Sequence, residues 1–123
     1  MTTSDTGAPV VLIRSAGAVD DDALAYVREK VEAVLARPGL PPAHAQVRLN
    51  RSAAHHVRRP WFAAAEIRLG GELVVAHAQE ADAREVTDQL QDRLRSRLER
   101  ATHRWDTARR SAAAPPWRGG PAF

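Results

Sequence analysis

Hydrophobic positions recur along this chain with two periods. In "VDDDALAYVREKVEAVLARPG" they are Leu24, Val27, Val31, Val34 and Leu35, spaced by three and four, which predicts a helix with one apolar face. Asp20 or Asp21 stands where a side chain caps the first turn, with further acid behind it that the helix dipole favours. Pro38-Gly39 stops that helix. A second helical stripe runs through Val86, Leu90, Leu94, Leu98 and Trp105, opened by Asp82 with Glu85 three residues on, a capping-box spacing. Elsewhere the period is two. "PVVLIR" (Pro9 to Arg14) is a β-branched run read as a first strand. "QVRLNR" turns Val47 and Leu49 one way, Arg48 and Asn50 the other. In "WFAAAEIRLGGELVVAHAQ", Trp61, Ala63, Ala65, Ile67 and Leu69 share a face, and so do Val74, Ala76 and Ala78; Gly70-Gly71 between the two runs signals a hairpin. "PPAHA" and "SAAHHVRRP" read as loops, the second rich in basic residues.

The predicted order is β-α-β-β-β-α, within one domain over residues 9–105. Strands with one apolar face and two amphipathic helices close as an α/β two-layer sandwich, a four-stranded sheet with both helices on one face. From the first helix onward the order is also that of a double-stranded RNA-binding domain (dsRBD). Residues 1–8 are small and polar and are expected to be disordered; residues 106–123 are expected to form a flexible Pro/Gly/Ala tail carrying Trp117 and Phe123.

Composition narrows the chemistry. The 123 residues include no cysteine, which excludes disulfides and thiolate metal sites. No apolar run approaches the roughly 20 residues of a membrane span. "MTTSDTGAP" lacks the regions of a signal peptide, so a cytoplasmic protein with no membrane partner is expected. Net charge is +3, almost all of the base is arginine, and Lys30 is the only lysine. Arginine supplies a permanently charged planar fork that suits phosphate. A charge of +3 permits a nucleic-acid partner; the distribution has to decide.

On a wheel with Leu90 at zero, Leu94, Leu98, Ala101 and Trp105 fall between about 20° and 80°. Arg93, Arg97, Arg100 and Arg104 fall between about −80° and −20°, while Glu85, Asp88, Asp92 and Glu99 cluster around about 180°. Arg84 has Asp88 at i+4, and Arg95 has Asp92 and Glu99 within reach. The other four have no acid at any three- or four-residue spacing, only one another, at a cost of a few tenths of a kcal/mol per pair. Their stripe is about 16 Å long, enough to span several phosphates. Arg48 and Arg51 on the second strand, with Arg58 and Arg59 in the loop before Trp61, extend it toward one continuous electropositive surface. The competing reading makes these arginines apolar stems over the core edge with their heads in water.

Other chemistry is poorly supported. His55-His56 are adjacent, His44, His77 and His103 are scattered, and no spacing matches a zinc motif, so no metal is expected. There is no nucleophile elbow, P-loop or dinucleotide glycine pattern, so neither an enzyme nor a cofactor or small-molecule substrate is expected. Trp61 shares its face with Ile67 and Leu69 and reads as core; Phe62 points the other way and is the better base-stacking candidate.

"VVLIRSAGAVDDDALAYVREKVEAVL", "AQVRLNR" and "GGELVVAHAQEADAREVTDQLQDRLRSRLER" carry a layout that resembles the ribosome hibernation-promoting factor family, also described as ribosome-associated inhibitor A or ribosomal subunit interface proteins. The resemblance covers about residues 10–105 and includes the run Asp88, Leu90, Asp92, Arg93, Leu94. "HRWDTARR" followed by "PPW" is similar to dormancy-associated translation inhibitors of the same superfamily. It implies a protein of this fold on the 30S ribosomal subunit, against 16S rRNA in the mRNA and tRNA channel, blocking translation in resting cells. By position it places Arg93, Arg97 and Arg100 on the family's basic last helix, Arg48 and Arg51 on its second strand, and Arg58 and Arg59 in a variable loop. Ala83, Arg84 and Glu85 depart from the aromatic and small residues usual there. The second domain with which long members pair ribosomes has no counterpart in this sequence, so direct ribosome pairing is not expected. Two other classes stay open: a protein-interaction module acting through the sheet edge or the aromatic tail, and a general double-stranded RNA binder.

Overall fold

A computed structural model describes residues 9–37, 40–54 and 56–113, with side chains described through residue 104. The two periods resolve into β1 (Val10–Ala16), α1 (Asp21–Leu35), β2 (Ala43–Arg51), β3 (Trp61–Leu69), β4 (Glu72–Glu80) and α2 (Ala83–Ala113). The strands form one sheet in the order β1-β2-β3-β4, with β1 parallel to β2 and the other pairs antiparallel. β1 and β4 are therefore its edges. The α/β two-layer sandwich is as expected, with both helices on one face.

Alternation decides which face is covered. Val47, Leu49, Ala63, Ala65, Ile67, Leu69, Val74, Ala76 and Ala78 are buried on the helix side. Val27, Val31 and Val34 come down on them from α1, and Val86, Leu90, Leu94, Leu98 and Ala101 from α2. Burying each leucine contributes about 1.5–3 kcal/mol. The alanines of β3 and β4 let the long helix lie close, because a methyl group takes little space beneath its leucines.

Strand and helix ends depart from the pattern reading in three places. β1 runs on to Ala16, two residues past Arg14. β2 begins at Ala43 within "PPAHA", where Ala43 and Ala45 are buried opposite Leu69 and Ile67. Two alanines carry too little hydrophobic contrast to announce a strand; cross-strand pairing supplies what they lack. α2 continues past Trp105 to Ala113, since alanine and arginine remain good helix formers after the apolar stripe ends. Residues 1–8, Trp117 and Phe123 lie outside the described residues.

The caps and turns are local chemistry. Asp20 accepts a hydrogen bond from the Ala23 amide at 2.8 Å, and Asp82 accepts from the Arg84 and Glu85 amides at 3.0 and 3.3 Å. Gly70 and Gly71 have φ of +57° and +83°, the doubly positive turn that suits the strand twist of a two-residue hairpin.

Polar contacts also join the two helices, and Gln91 donates to the Lys30 carbonyl at 3.2 Å. The Tyr26 hydroxyl donates to the Asp88 carboxylate at 2.5 Å, and the Arg84 guanidinium and Lys30 ammonium lie 4.7 and 5.2 Å from the Tyr26 ring centre. Arg84 thus serves the tyrosine face, whereas its four-residue spacing pairs it with Asp88. The Asp88 hydrogen bond is the main cause that raises the Tyr26 pKa above its ordinary 10.0, with desolvation and Asp88's charge adding to it. Tyr26 is the only tyrosine. An absorbance titration should therefore show one tyrosinate midpoint above 10.0, returning toward that value in Asp88→Ala. A raised pKa means that this contact stabilises the fold fully below pH 10.0 and is lost as pH rises through the folded midpoint. A midpoint at or below the ordinary value would show that the clamp does not form.

Candidate nucleic-acid interface

α2 runs antiparallel to β4 over the inner face, along the free edge, so residues advancing on the helix meet residues retreating on the strand. Arg93 lies by His77 and donates to its carbonyl at 2.6 Å. Arg97 and Arg100 follow beside Leu73, Val74 and Val75. Arg104 reaches the start of β4 and pairs with Glu72. All four arginines are exposed. The stripe thus lies against the free edge of the sheet, where outward backbone groups would otherwise attract another strand.

This placement corrects the expectation that all four lack partners. Helical spacing sees only acids on the same helix, and Glu72 is 32 residues from Arg104 in the chain. Arg93 is partly engaged by a backbone carbonyl. Arg97 and Arg100 have no carboxylate within ion-pair distance among the described residues. Arg95 does pair with Asp92, at 3.7 Å, on the acidic side of the helix.

The second-strand candidates separate. Arg48 opens onto the outer face of the sheet, the one no helix covers. Arg51 faces the other way and sets its guanidinium 5.4 Å from the centre of the Trp61 ring, at the end of the core. Three residues apart on a strand means opposite faces, so the two do not share one surface. Trp61 is core, as its periodicity implied. Arg58 and Arg59 are exposed in the loop before β3, which is tied down where Gln79 donates to the Arg59 carbonyl at 3.0 Å.

Strand register adds residues that the sequence reading passed over. Arg14 of β1 stands directly beside Arg48 in the parallel pair, and His77 shares their row across Ala64. Neither Arg14 nor Arg48 has a carboxylate within ion-pair distance among the described residues. Two like charges on neighbouring strands are unfavourable unless an outside anion meets them. The strand pattern alone did place Arg14 and Arg48 on strands; only the pairing register could bring them together.

His77 connects the two basic regions. It stands on the outer face of β4, and a shallow depression at the strand edge is lined by His77, Arg93, Ser96, Arg97 and Arg100. A second depression, lined by Leu12, Arg14, Gln46, Arg48, Ala64 and Glu66, opens on the sheet face. The exposed arginines thus form a belt in two parts, Arg93, Arg97 and Arg100 at the β4 edge and Arg14 and Arg48 on the sheet face, with His77 and Ala64 between them. Among the described residues no three His, Asp or Glu side chains converge as a metal site, and no helix is long and apolar enough to cross a membrane.

Residues 15–106 match the family model described as sigma 54 modulation protein / S30EA ribosomal protein. The fold is similar to the crystal structure of the Thermus thermophilus Protein Y N-terminal domain, with a TM-score of 0.61 and 20% identity over 74% of this chain and 97% of that one. It is similar also to a ribosomal subunit interface protein from Coxiella burnetii, with a TM-score of 0.59 and 14% identity over 76% and 97% of the two chains. No curated protein sequence gives a match. The family model spans most of the chain and the two solved structures share its strand and helix order, so this protein belongs to the sigma 54 modulation / S30EA ribosomal protein family, the hibernation-promoting factor family that its sequence resembles.

Proposed function

We propose that the protein is a ribosome-associated translation inhibitor that binds 16S rRNA of the 30S subunit, in the channel used by mRNA and tRNA, through the arginine belt. The observation that carries this reading is the pair Arg97 and Arg100, exposed beside the β4 edge with no carboxylate of their own among the described residues. Family membership supplies the ribosome as the partner. Within the belt, Arg97, Arg100, Arg48 and Arg14 make direct phosphate contacts. Arg93, Arg58 and Arg59 add charge at its margins, and Arg104 and Arg51 serve mainly Glu72 and Trp61. The protein acts in the cytoplasm by occupancy and performs no catalysis.

Sedimentation with purified 30S subunits over a range of salt tests this directly. With four to six phosphates neutralised, log affinity should fall against log salt with a slope of about −3 to −5. A second reading is favoured by Val10, Leu12, Leu73 and Val75, which are large, apolar and exposed on the outer sheet face. They would suit a contact with a protein, and binding carried by them would show a slope near zero. Equal affinity for a plain RNA duplex and for 30S subunits would instead indicate a general duplex binder.

A further inference from the structure

The outer face of the sheet carries an aromatic pair that the phosphate contacts do not use. Phe62 of β3 and His77 of β4 lie diagonally across neighbouring strands, ring centres 6.4 Å apart and planes within 24° of each other. Phe62 is half-buried and His77 exposed. The surroundings are small or cationic rather than apolar. Ala64 leaves room beside both rings, Arg48 stands next to Ala64, and Arg14 stands next to Arg48. Asn50, the register partner of Phe62, has its amide oxygen buried without a hydrogen-bond partner among the described residues, so its amide gains by turning toward a donor. The large exposed aliphatics Val10, Leu12, Leu73 and Val75 occupy the other two rows of the face, and so does Glu66, the acid nearest to Arg48 on it.

We infer that Phe62 and His77 form a platform for one unpaired RNA base, with Asn50 reading its edge and Arg48 and Arg14 holding the flanking phosphates. The inference rests on the RNA-binding reading above and refines it: at this end of the sheet the ligand is single-stranded. A base inside a duplex presents no face, whereas an unstacked one lays its face on an aromatic ring and keeps its hydrogen-bonding edge free. Flat rings with cations on one side and a polar amide on the other match that need. Among the described residues, the rows farther along the face carry no such ring pair.

The test uses the full chain and a single-stranded RNA oligonucleotide carrying one 2-aminopurine, whose fluorescence is quenched on stacking, together with sedimentation on 30S subunits. The wild type should quench the probe. Phe62→Ala should abolish quenching and weaken 30S binding about tenfold, while Phe62→Tyr restores both. Absence of quenching by the wild type, or equal quenching by Phe62→Ala, overturns the platform. So does a Phe62→Ala variant that loses 30S binding but still quenches, because the face would then be meeting protein. If the wild type quenches the oligonucleotide yet does not sediment with 30S subunits, the platform stands and the ribosomal reading fails.

Discussion

Arg97→Glu combined with Arg100→Glu should weaken binding to 30S subunits by roughly two to four orders of magnitude. The estimate takes two charge-assisted contacts at about 1.5–3 kcal/mol each. Reversal also places like charge against phosphate, so it marks the lower end of the loss. The fold should be untouched: both side chains are exposed, and surface changes of this kind stay within about 0.5 kcal/mol. Replacing both with alanine should shallow the salt slope by about two, one per lost phosphate contact. Arg104→Glu belongs to a different class. It sets a carboxylate against Glu72, so its effect on stability should exceed its effect on binding. Arg93→Ala falls between, since it releases the His77 carbonyl as well as a positive charge. A folded double reversal that sediments with 30S subunits like the wild type would leave no role for the stripe in ribosome binding.

The second large effect is on the fold. Gly17→Ala should cost about 3 kcal/mol and lower the melting temperature by roughly 10–20 °C. Gly17 has φ of +83° just after β1, and a Cβ there would meet the Arg51 carbonyl oxygen at 2.1 Å. That oxygen belongs to the backbone at the end of β2 and cannot swing aside. The crossover from β1 to α1 passes so close to β2 that only hydrogen fits. Gly71→Ala is the control: its φ is also +83°, yet nothing lies within 4 Å of the added carbon. Its cost should be the left-handed strain alone, about 1–2 kcal/mol. Thermal unfolding followed by circular dichroism separates the two, and equal losses would show that the close approach at Gly17 does not matter.

Much of this was legible from residue order. The stripe Val86, Leu90, Leu94 and Leu98 is buried as its spacing required, and the face of Trp61, Ala63, Ala65, Ile67 and Leu69 is the inner face of β3. Both aspartate caps and the Gly70-Gly71 turn are where local chemistry put them. The candidate site was only partly legible. Among the described residues Arg97 and Arg100 have no carboxylate within ion-pair distance, but Arg104 pairs with an acid on another element. Arg51 turns to Trp61 while Arg48 faces outward, because residues three apart on a strand lie on opposite faces. Arg14 entered the belt through a strand pairing that no local pattern encodes.

By itself the order of residues determined the elements, the buried faces and the segregation of acid from base on α2. These depend on periods of 3.6 and 2 and on neighbours within four positions. Tertiary structure alone decided that the arginine stripe lies along the β4 edge, that His77 and Phe62 share a face with Arg48, and which arginines keep no carboxylate of their own among the described residues. The reason is that an ion pair or an anion-binding surface depends on distance in space. Strand register and helix docking bring together charges that lie tens of residues apart along the chain.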